Sequence, residues 1–378
     1  MYGFKLRYVK KSVLLLAALI ALIFAWSDLS HAFFTLITMC AAVLVISSWL
    51  ARNVWTQTRE DDSRSAQVAT RPRRERKSRA QARARRAEEL HPEATVSLSE
   101  EREAADIDDV FAALNDQLVG LVPVKRKIEE IASLLLVDRV RNRFGLEAPR
   151  PNLHMCFTGD PGTGKTTVAL QMADLLSRLG YLEKGHLVHA MRDDLVGEFI
   201  GQTAPKTRRI LERSMGGVLF IDEAYYLYRD GDSRDYGQEC IDILLQVMEN
   251  DRDKLVVILA GYKDRMEGFF DTNPGMSSRI AHHIDFPDYT VDELTEVFRR
   301  MTDQGQYRLD PAAADLVRRF LSEEQARKGA NFGNARLVRN LFERTLMQQC
   351  DRLASDPDLT NDELCLLLPS DVPTLALV

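Results

Sequence analysis

Between Asn152 and Thr167 the chain reads Asn-Leu-His-Met-Cys-Phe-Thr-Gly-Asp-Pro-Gly-Thr-Gly-Lys-Thr-Thr. A short apolar run ends in G-x-x-x-x-G-K-T, and helix formers follow from Thr167 to Leu176. That order is strand, phosphate loop, helix. Gly159 to Gly164, with Asp160, Pro161, Gly162 and Thr163 between, let backbone amides close around nucleotide phosphates. Lys165 is placed to reach the β- and γ-phosphates, Thr166 is a candidate Mg²⁺ ligand, and Thr167 starts the helix. The helix N-terminus adds partial positive charge aimed at the same anion. A Gly-rich turn with a buried Lys would explain neither the flanks nor Thr166. The expected ligands are ATP and Mg²⁺.

A buried strand is expected at Val218-Leu-Phe-Ile, ending in Asp222 and Glu223. In phosphate-loop enzymes a strand-end Asp holds Mg²⁺, and the neighbouring carboxylate is the candidate base for the attacking water. Asp222 alone could be a helix cap; with Lys165 it reads as part of a hydrolytic site. Arg279 lies in a turn-rich loop after Asn273-Pro-Gly and is a candidate arginine finger for a neighbouring subunit. The bland alternative is a solvated Arg. Arg336 opens a later helix, where its charge opposes the dipole, so a partner such as the nucleotide is expected. Phe199, Ile200 and Gly201 sit on a polar loop and are candidates for gripping a polypeptide; core packing of Phe199 is the alternative.

Apolar runs alternate with helical patterns from about residue 105 to 288: Leu153–Phe157, His186–Ala190, Val218–Asp222, Leu255–Ala260 and Ile284–Phe286. Such alternation predicts an α/β core, residues 105–288, with a five-stranded parallel sheet covered on both faces. Thr203 is expected to cap the helix near residues 205–215. After Pro287 only helical patterns remain, including 291–303, 311–328, 334–353 and 361–368, so residues 289–378 are expected to form a small all-helical lid.

The first hundred residues differ in kind. Ser12 to Trp26 and Ala32 to Leu50 are apolar, joined by Ser27-Asp-Leu-Ser-His31 and flanked by basic residues. Residues 1–51 therefore predict a transmembrane helical hairpin, crossing the membrane within 12–50, with both ends cytoplasmic and the ATPase domain in the cytoplasm. A cleaved signal peptide is disfavoured by the lack of a clear cleavage site and by the second apolar run. Residues 52–104 predict a charged, disordered linker: Arg71 to Arg86 holds nine basic residues and one acidic one. Such a segment suits anionic lipid headgroups. Without interleaved aromatics, nucleic acid is the weaker expectation. The five cysteines, Cys40, Cys156, Cys240, Cys350 and Cys365, form no C-x-x-C pair and predict neither disulfides nor zinc.

These motifs, in this order, resemble the AAA+ ATPases. The segments GDPGTGKTTVA, RDDLVGEFIGQTAPKT, GGVLFIDEAYYLY, LVVILAGYKDRM, NPGMSSRIAHHIDFPDY and FGNARLVRNLFE resemble the CbxX/CfqX family, which includes the red-type Rubisco activases. The resemblance covers roughly Asp106 to Leu353. It implies a homo-hexamer that pulls a protein client through its pore, acting as a chaperone. In activases of this family the client is the Rubisco large subunit tail and ribulose bisphosphate is an effector. It further implies that Phe199-Ile200-Gly201 is the pore loop, that Arg279 is the finger, that Arg336 senses nucleotide from the lid, and that Val119, Gly120 and Leu121 touch adenine. The chain departs from the pattern in its N-terminal 104 residues. It also departs in having Phe at the pore aromatic, and at Ala260-Gly261-Tyr262, which offers no polar first sensor. Members of the family with other clients, including membrane or secretion assemblies, leave the client open.

Overall fold

The computed structural model describes residues 93–146, 150–228, 236–327, 332–354 and 358–373. The chain divides into Met1–Glu88, which lies outside the described residues, and Glu89–Val378. The hairpin expected within 12–50 and the basic run of the linker therefore lie outside the described residues. Among the described residues no helix is long and apolar enough to cross a membrane.

The core is a five-stranded sheet made of β1 (Met155–Gly159), β2 (Leu187–Ala190), β3 (Val218–Ile221), β4 (Val256–Gly261) and β5 (His282–Phe286), in the order β2-β3-β4-β1-β5. Every pairing is parallel. The central strands β3 and β4 are buried along their whole length, which is why they read as unbroken apolar runs. Side chains alternate between faces. Phe157, Phe220 and Ile258 enter one core cluster, while Cys156, Leu219, Ile221 and Leu259 enter the other. Cys156, fully buried, is a free thiol whose pKa burial pushes up to about 12, so it behaves as a small apolar side chain.

Helices α1 (Leu98–Ala104), α2 (Ile107–Gln117) and α3 (Val122–Arg143) precede the sheet, and α4 (Lys165–Arg178) follows β1. The short α5 (Arg192–Leu195), then α6 (Thr203–Ser214) and α7 (Gly237–Asn250), flank β3. After β4 come α8 (Lys263–Thr272) and the single turn α9 (Pro274–Ser277). The linker was expected to extend to residue 104, but α1 starts at Leu98, capped by the Ser97 hydroxyl. Charge misled that expectation: Glu101 is buried where Arg139, at 3.4 Å, and Arg143 neutralise it. Thr203 is not the expected cap either. It lies inside α6, fully buried, and its hydroxyl accepts the Gly197 amide at 3.1 Å.

The lid begins with α10 (Val291–Gln304), opened by a Thr290–Glu293 capping box. It continues through α11 (Pro311–Ala326) and α12 (Asn334–Leu353). It is not all-helical. The pattern over 361–368 divides into α13 (Asn361–Cys365) and β7 (Leu366–Leu367), which pairs in parallel with β6 (Arg308–Leu309). Gln349 on α12 donates to the carbonyls of Leu364, at 3.1 Å, and Leu366, at 3.1 Å. Those contacts supply partners for carbonyls at the end of the short helix, and Pro369 bars helix at Leu368.

Candidate active site

The phosphate loop lies between β1 and α4 at the C-terminal edge of the sheet. Gly159, Gly162 and Gly164 take φ values of 146°, 75° and 95°. At Gly162 the requirement is steric as well: an added Cβ would lie 2.3 Å from the Gly333 carbonyl and 2.9 Å from the Arg336 amide. The loop is thus pressed against the first turn of the lid helix α12. Inside it, the buried Thr163 hydroxyl donates to the Asp160 carbonyl at 2.8 Å. Lys165 Nζ donates to the carbonyls of Gly159, at 2.7 Å, and Asp160, at 2.8 Å. Burial lowers the Lys165 pKa, while Asp222, Asp160 and Glu223 pull it back.

β3 delivers the acidic pair. The Asp222 amide donates to the Ala190 carbonyl on β2 at 2.9 Å, and Asp222 Oδ1 accepts the Glu223 amide at 3.1 Å. His189, stacked on Phe220, brings Nε2 to 3.7 Å from Asp222 Oδ2. Burial alone would raise the Asp222 carboxyl. His189, the Glu223 amide and Lys165 outweigh it and hold the group below the usual carboxylate value. Glu223 itself takes φ 52°, a conformation that costs a non-glycine residue on the order of 1 kcal/mol.

These groups meet in one cleft of about 480 Å³. Gly159, Pro161, Gly162, Gly164, Lys165, Thr166 and Thr167 line it from the loop, and Asp222, Glu223, Gly261 and Tyr262 from the strand ends. Val119 with Gln117 and Leu118 lines one end, and Tyr289, Val297, Met301, Ala335, Arg336 and Arg339 line it from the lid side. Of the other residues named from the sequence, Asp160 and Thr163 brace the loop rather than lining the cleft. Gly120 packs against Glu293 of α10, and the buried Leu121 lies behind Gly164.

Two sets stand apart. Arg279 does not line the cleft: its Nε lies 3.5 Å from Glu249 Oε2 and its Nη1 donates to the Gly275 carbonyl at 3.0 Å. Phe199 and Ile200 are 65% and 85% exposed, so core packing of Phe199 is excluded, and Gly201 next to them has open space around it.

Sequence reasoning passed over several residues at or beside the cleft. Asn334 was read only as part of a helix start. It is fully buried, with Nδ2 donating to Asp288 at 2.7 Å and Oδ1 accepting the Tyr289 amide at 3.0 Å. Arg339, one turn beyond Arg336, was visible as the next Arg on the same face. Tyr225 is bonded to Glu223, and Arg265 lies over Tyr225 and Tyr262 behind it; only the tyrosine pair one residue after Asp-Glu hinted at them.

The residues fit a magnesium nucleotide. The cleft is lined by Gly159, Gly162 and Gly164 with Lys165 beside them, a set that leaves backbone and one cation facing an anion. The hard oxygen donors are a threonine hydroxyl and a single depressed carboxylate, not a closed all-protein cage. Among the described residues no group of three or more His, Cys, Asp or Glu could hold a metal alone.

Residues 155–288 match the ATPase family associated with various cellular activities (AAA), and residues 290–376 match the AAA lid domain. A CfxQ homolog from Guillardia theta is 55% identical over 282 residues, spanning 74% of this chain and 96% of that protein. CbbX from Cereibacter sphaeroides is 54% identical over 280 residues, spanning 74% and 90%. The chloroplastic ribulose bisphosphate carboxylase/oxygenase activase of Cyanidioschyzon merolae is 51% identical over 280 residues, spanning 74% and 95%.

Proposed function

Because the chain belongs to the CbxX/CfxQ family of AAA ATPases, we propose that it uses ATP hydrolysis to remodel a protein client by pulling on a peptide segment. The observation that carries this reading is that Lys165, Asp222 and Glu223 line one cleft, with Arg336 reaching it from the lid.

In this reading Thr166 and Asp222 hold Mg²⁺, which neutralises phosphate charge when bound. Lys165 leaves its loop carbonyls for the β- and γ-phosphates. Glu223 takes a proton from the attacking water. Val119 borders the adenine, with Gly120 and Leu121 supporting it from behind. Arg336 reports nucleotide state to α12, whose first turn already touches Gly162. The subunits form a homo-hexamer, in which Arg279, placed away from its own cleft, serves the neighbouring one. Phe199, Ile200 and Gly201 present an exposed aromatic-aliphatic pair on a flexible glycine, suited to wedging against a peptide in a pore.

The Cyanidioschyzon relative is named for activation of ribulose bisphosphate carboxylase/oxygenase. We extend that client, the Rubisco large subunit, and ribulose bisphosphate as effector to this chain. A second reading keeps the motor and changes the client. The two apolar runs within residues 12–50 and the basic run that follows favour a membrane-tethered ATPase facing the cytoplasm and a client delivered at that surface.

The test is ATP turnover by the purified full-length chain, with and without ribulose bisphosphate, followed by reactivation of inhibited red-type Rubisco. Stimulation together with reactivation supports the first client. Turnover indifferent to both supports the second.

A further inference from the structure

β4 reaches the cleft at Gly261, which has no side chain to offer there. The ring of Tyr225 takes the space. A Cβ on Gly261 would lie 2.8 Å and 2.9 Å from its Cδ1 and Cε1. The ring gets there because Glu223, in its left-handed conformation, starts a tight 3₁₀ turn over Ala224–Leu227, closed by the Tyr226 amide on the Glu223 carbonyl at 2.9 Å. The chain doubles back, and the Tyr225 hydroxyl donates to Glu223 Oε2.

A second layer holds the tyrosine. Arg265, in the first turn of α8, donates from Nη1 to the hydroxyls of Tyr225, at 3.3 Å, and Tyr226, at 3.2 Å. Its guanidinium also lies over the rings of Tyr225, at 5.1 Å, and Tyr262, at 5.2 Å. Tyr225 is 8% exposed, whereas Arg265 is exposed.

We propose that Tyr225, braced by Arg265, is the positioning residue for the Glu223 carboxylate. The inference rests on Glu223 being the general base. A glutamate side chain has several torsions to restrain, and a base must hold hydrogen-bond reach of the proton it takes. Tyr225 occupies one carboxylate oxygen and leaves the other for water. Burial, and then the adjacent Glu223, push the Tyr225 hydroxyl above its ordinary pKa, so it stays protonated and remains a donor. Arg265, hydrogen-bonded to the phenol oxygen, strengthens that donor.

Tyr225→Phe keeps the ring and removes only the hydroxyl. In the full-length chain it is expected to lower kcat about tenfold, the worth of one charge-assisted hydrogen bond, with KM for ATP and melting temperature unchanged. Arg265→Gln is expected to lower kcat about threefold, and the double variant to be no worse than Tyr225→Phe, as coupled residues behave. Glu223→Gln is run beside them. A wild-type kcat for Tyr225→Phe with an inactive Glu223→Gln overturns the inference and leaves the base standing. An active Glu223→Gln overturns the base itself. A fall in melting temperature, or a KM that rises in step, assigns Tyr225 to packing and also overturns the inference. Effects of Tyr225→Phe and Arg265→Gln that simply add remove Arg265 from it.

Discussion

Asn334, the first residue of α12, accepts the Tyr289 backbone amide on its Oδ1 at 3.0 Å, tying the start of the lid helix to the segment that leaves β5. Its Nδ2 donates to Asp288 at 2.7 Å and lies 3.4 Å from the Pro161 carbonyl in the phosphate loop. One side chain therefore touches the loop, the exit from the sheet and the lid. At φ 45° its backbone suits Asn or Gly and strains most other residues.

Asn334→Ala should lose both the hydrogen bonds and the relaxed backbone, costing about 3 kcal/mol. Asn334→Gly should lose only the hydrogen bonds, and so fall between wild type and Asn334→Ala in chemical denaturation. Both should weaken nucleotide binding, because the loop loses its brace. Equal stability of Asn334→Gly and wild type would show that the side-chain bonds contribute nothing.

The end of the lid is latched by a bidentate pair: Arg352 Nε and Nη2 donate to the two Asp371 oxygens at 2.7 and 2.8 Å. Burial alone would raise the Asp371 carboxyl, but Arg352, the Leu368 amide and Ser370 outweigh it and hold it below the usual 3.8. A carboxyl depressed in the folded state stabilises the fold above its unfolded pKa, and that contribution is lost as pH falls through the folded value. Asp371→Asn should therefore lower the melting temperature at pH 7, and its gap from wild type should begin to narrow near about pH 4 and close only as pH falls through the lower folded value. Arg352→Gln should cost more at pH 7, about 3 kcal/mol, because a buried carboxylate is left unpaired. A gap for Asp371→Asn that stays constant from pH 7 to pH 3 would contradict the latch.

Phe199→Ala removes an exposed aromatic ring. Stability should change by less than about 0.5 kcal/mol, as for surface sites without special contacts, and basal ATP turnover should stay near wild type. Client remodelling should be lost. Remodelling that survives in Phe199→Ala removes the loop from the mechanism.

Arg279→Ala alone should reduce turnover at least a hundredfold, in keeping with the contribution of arginine fingers. Mixed with Glu223→Gln subunits, which lack the base but keep Arg279, Arg279→Ala subunits should regain turnover, because their intact clefts are then served by the neighbour's arginine. No recovery of turnover in that mixture would place Arg279 outside the shared site.

Much of this architecture is legible in the chain. β3 and β4 were readable because a doubly covered parallel sheet demands unbroken apolar runs, whereas the edge strands β2 and β5, buried at alternate positions, were readable from short apolar stretches between helical patterns. Lys165, Asp222 and Glu223 were readable because phosphate chemistry ties residue type to spacing. The lid was less legible. β6 and β7 are two residues each, too short for periodicity to register, and Gln349 ends α13 through contacts distant in sequence. Glu101 was hidden by its charge, since only the fold brings Arg139 and Arg143 to it. Asn334 and Tyr225 were hidden for a different reason. Each works through a left-handed backbone position, its own in one case and that of Glu223 in the other, and no residue pattern announces that conformation.

The central claim is that one cleft binds ATP through the phosphate loop and hydrolyses it through Glu223. The most direct test is Glu223→Gln in the full-length chain, with nucleotide affinity and ATP turnover measured on the same preparation. The account predicts affinity within about twofold of wild type and turnover lowered at least a hundredfold, the range expected for removal of a positioned base. Turnover equal to wild type at intact affinity would contradict it.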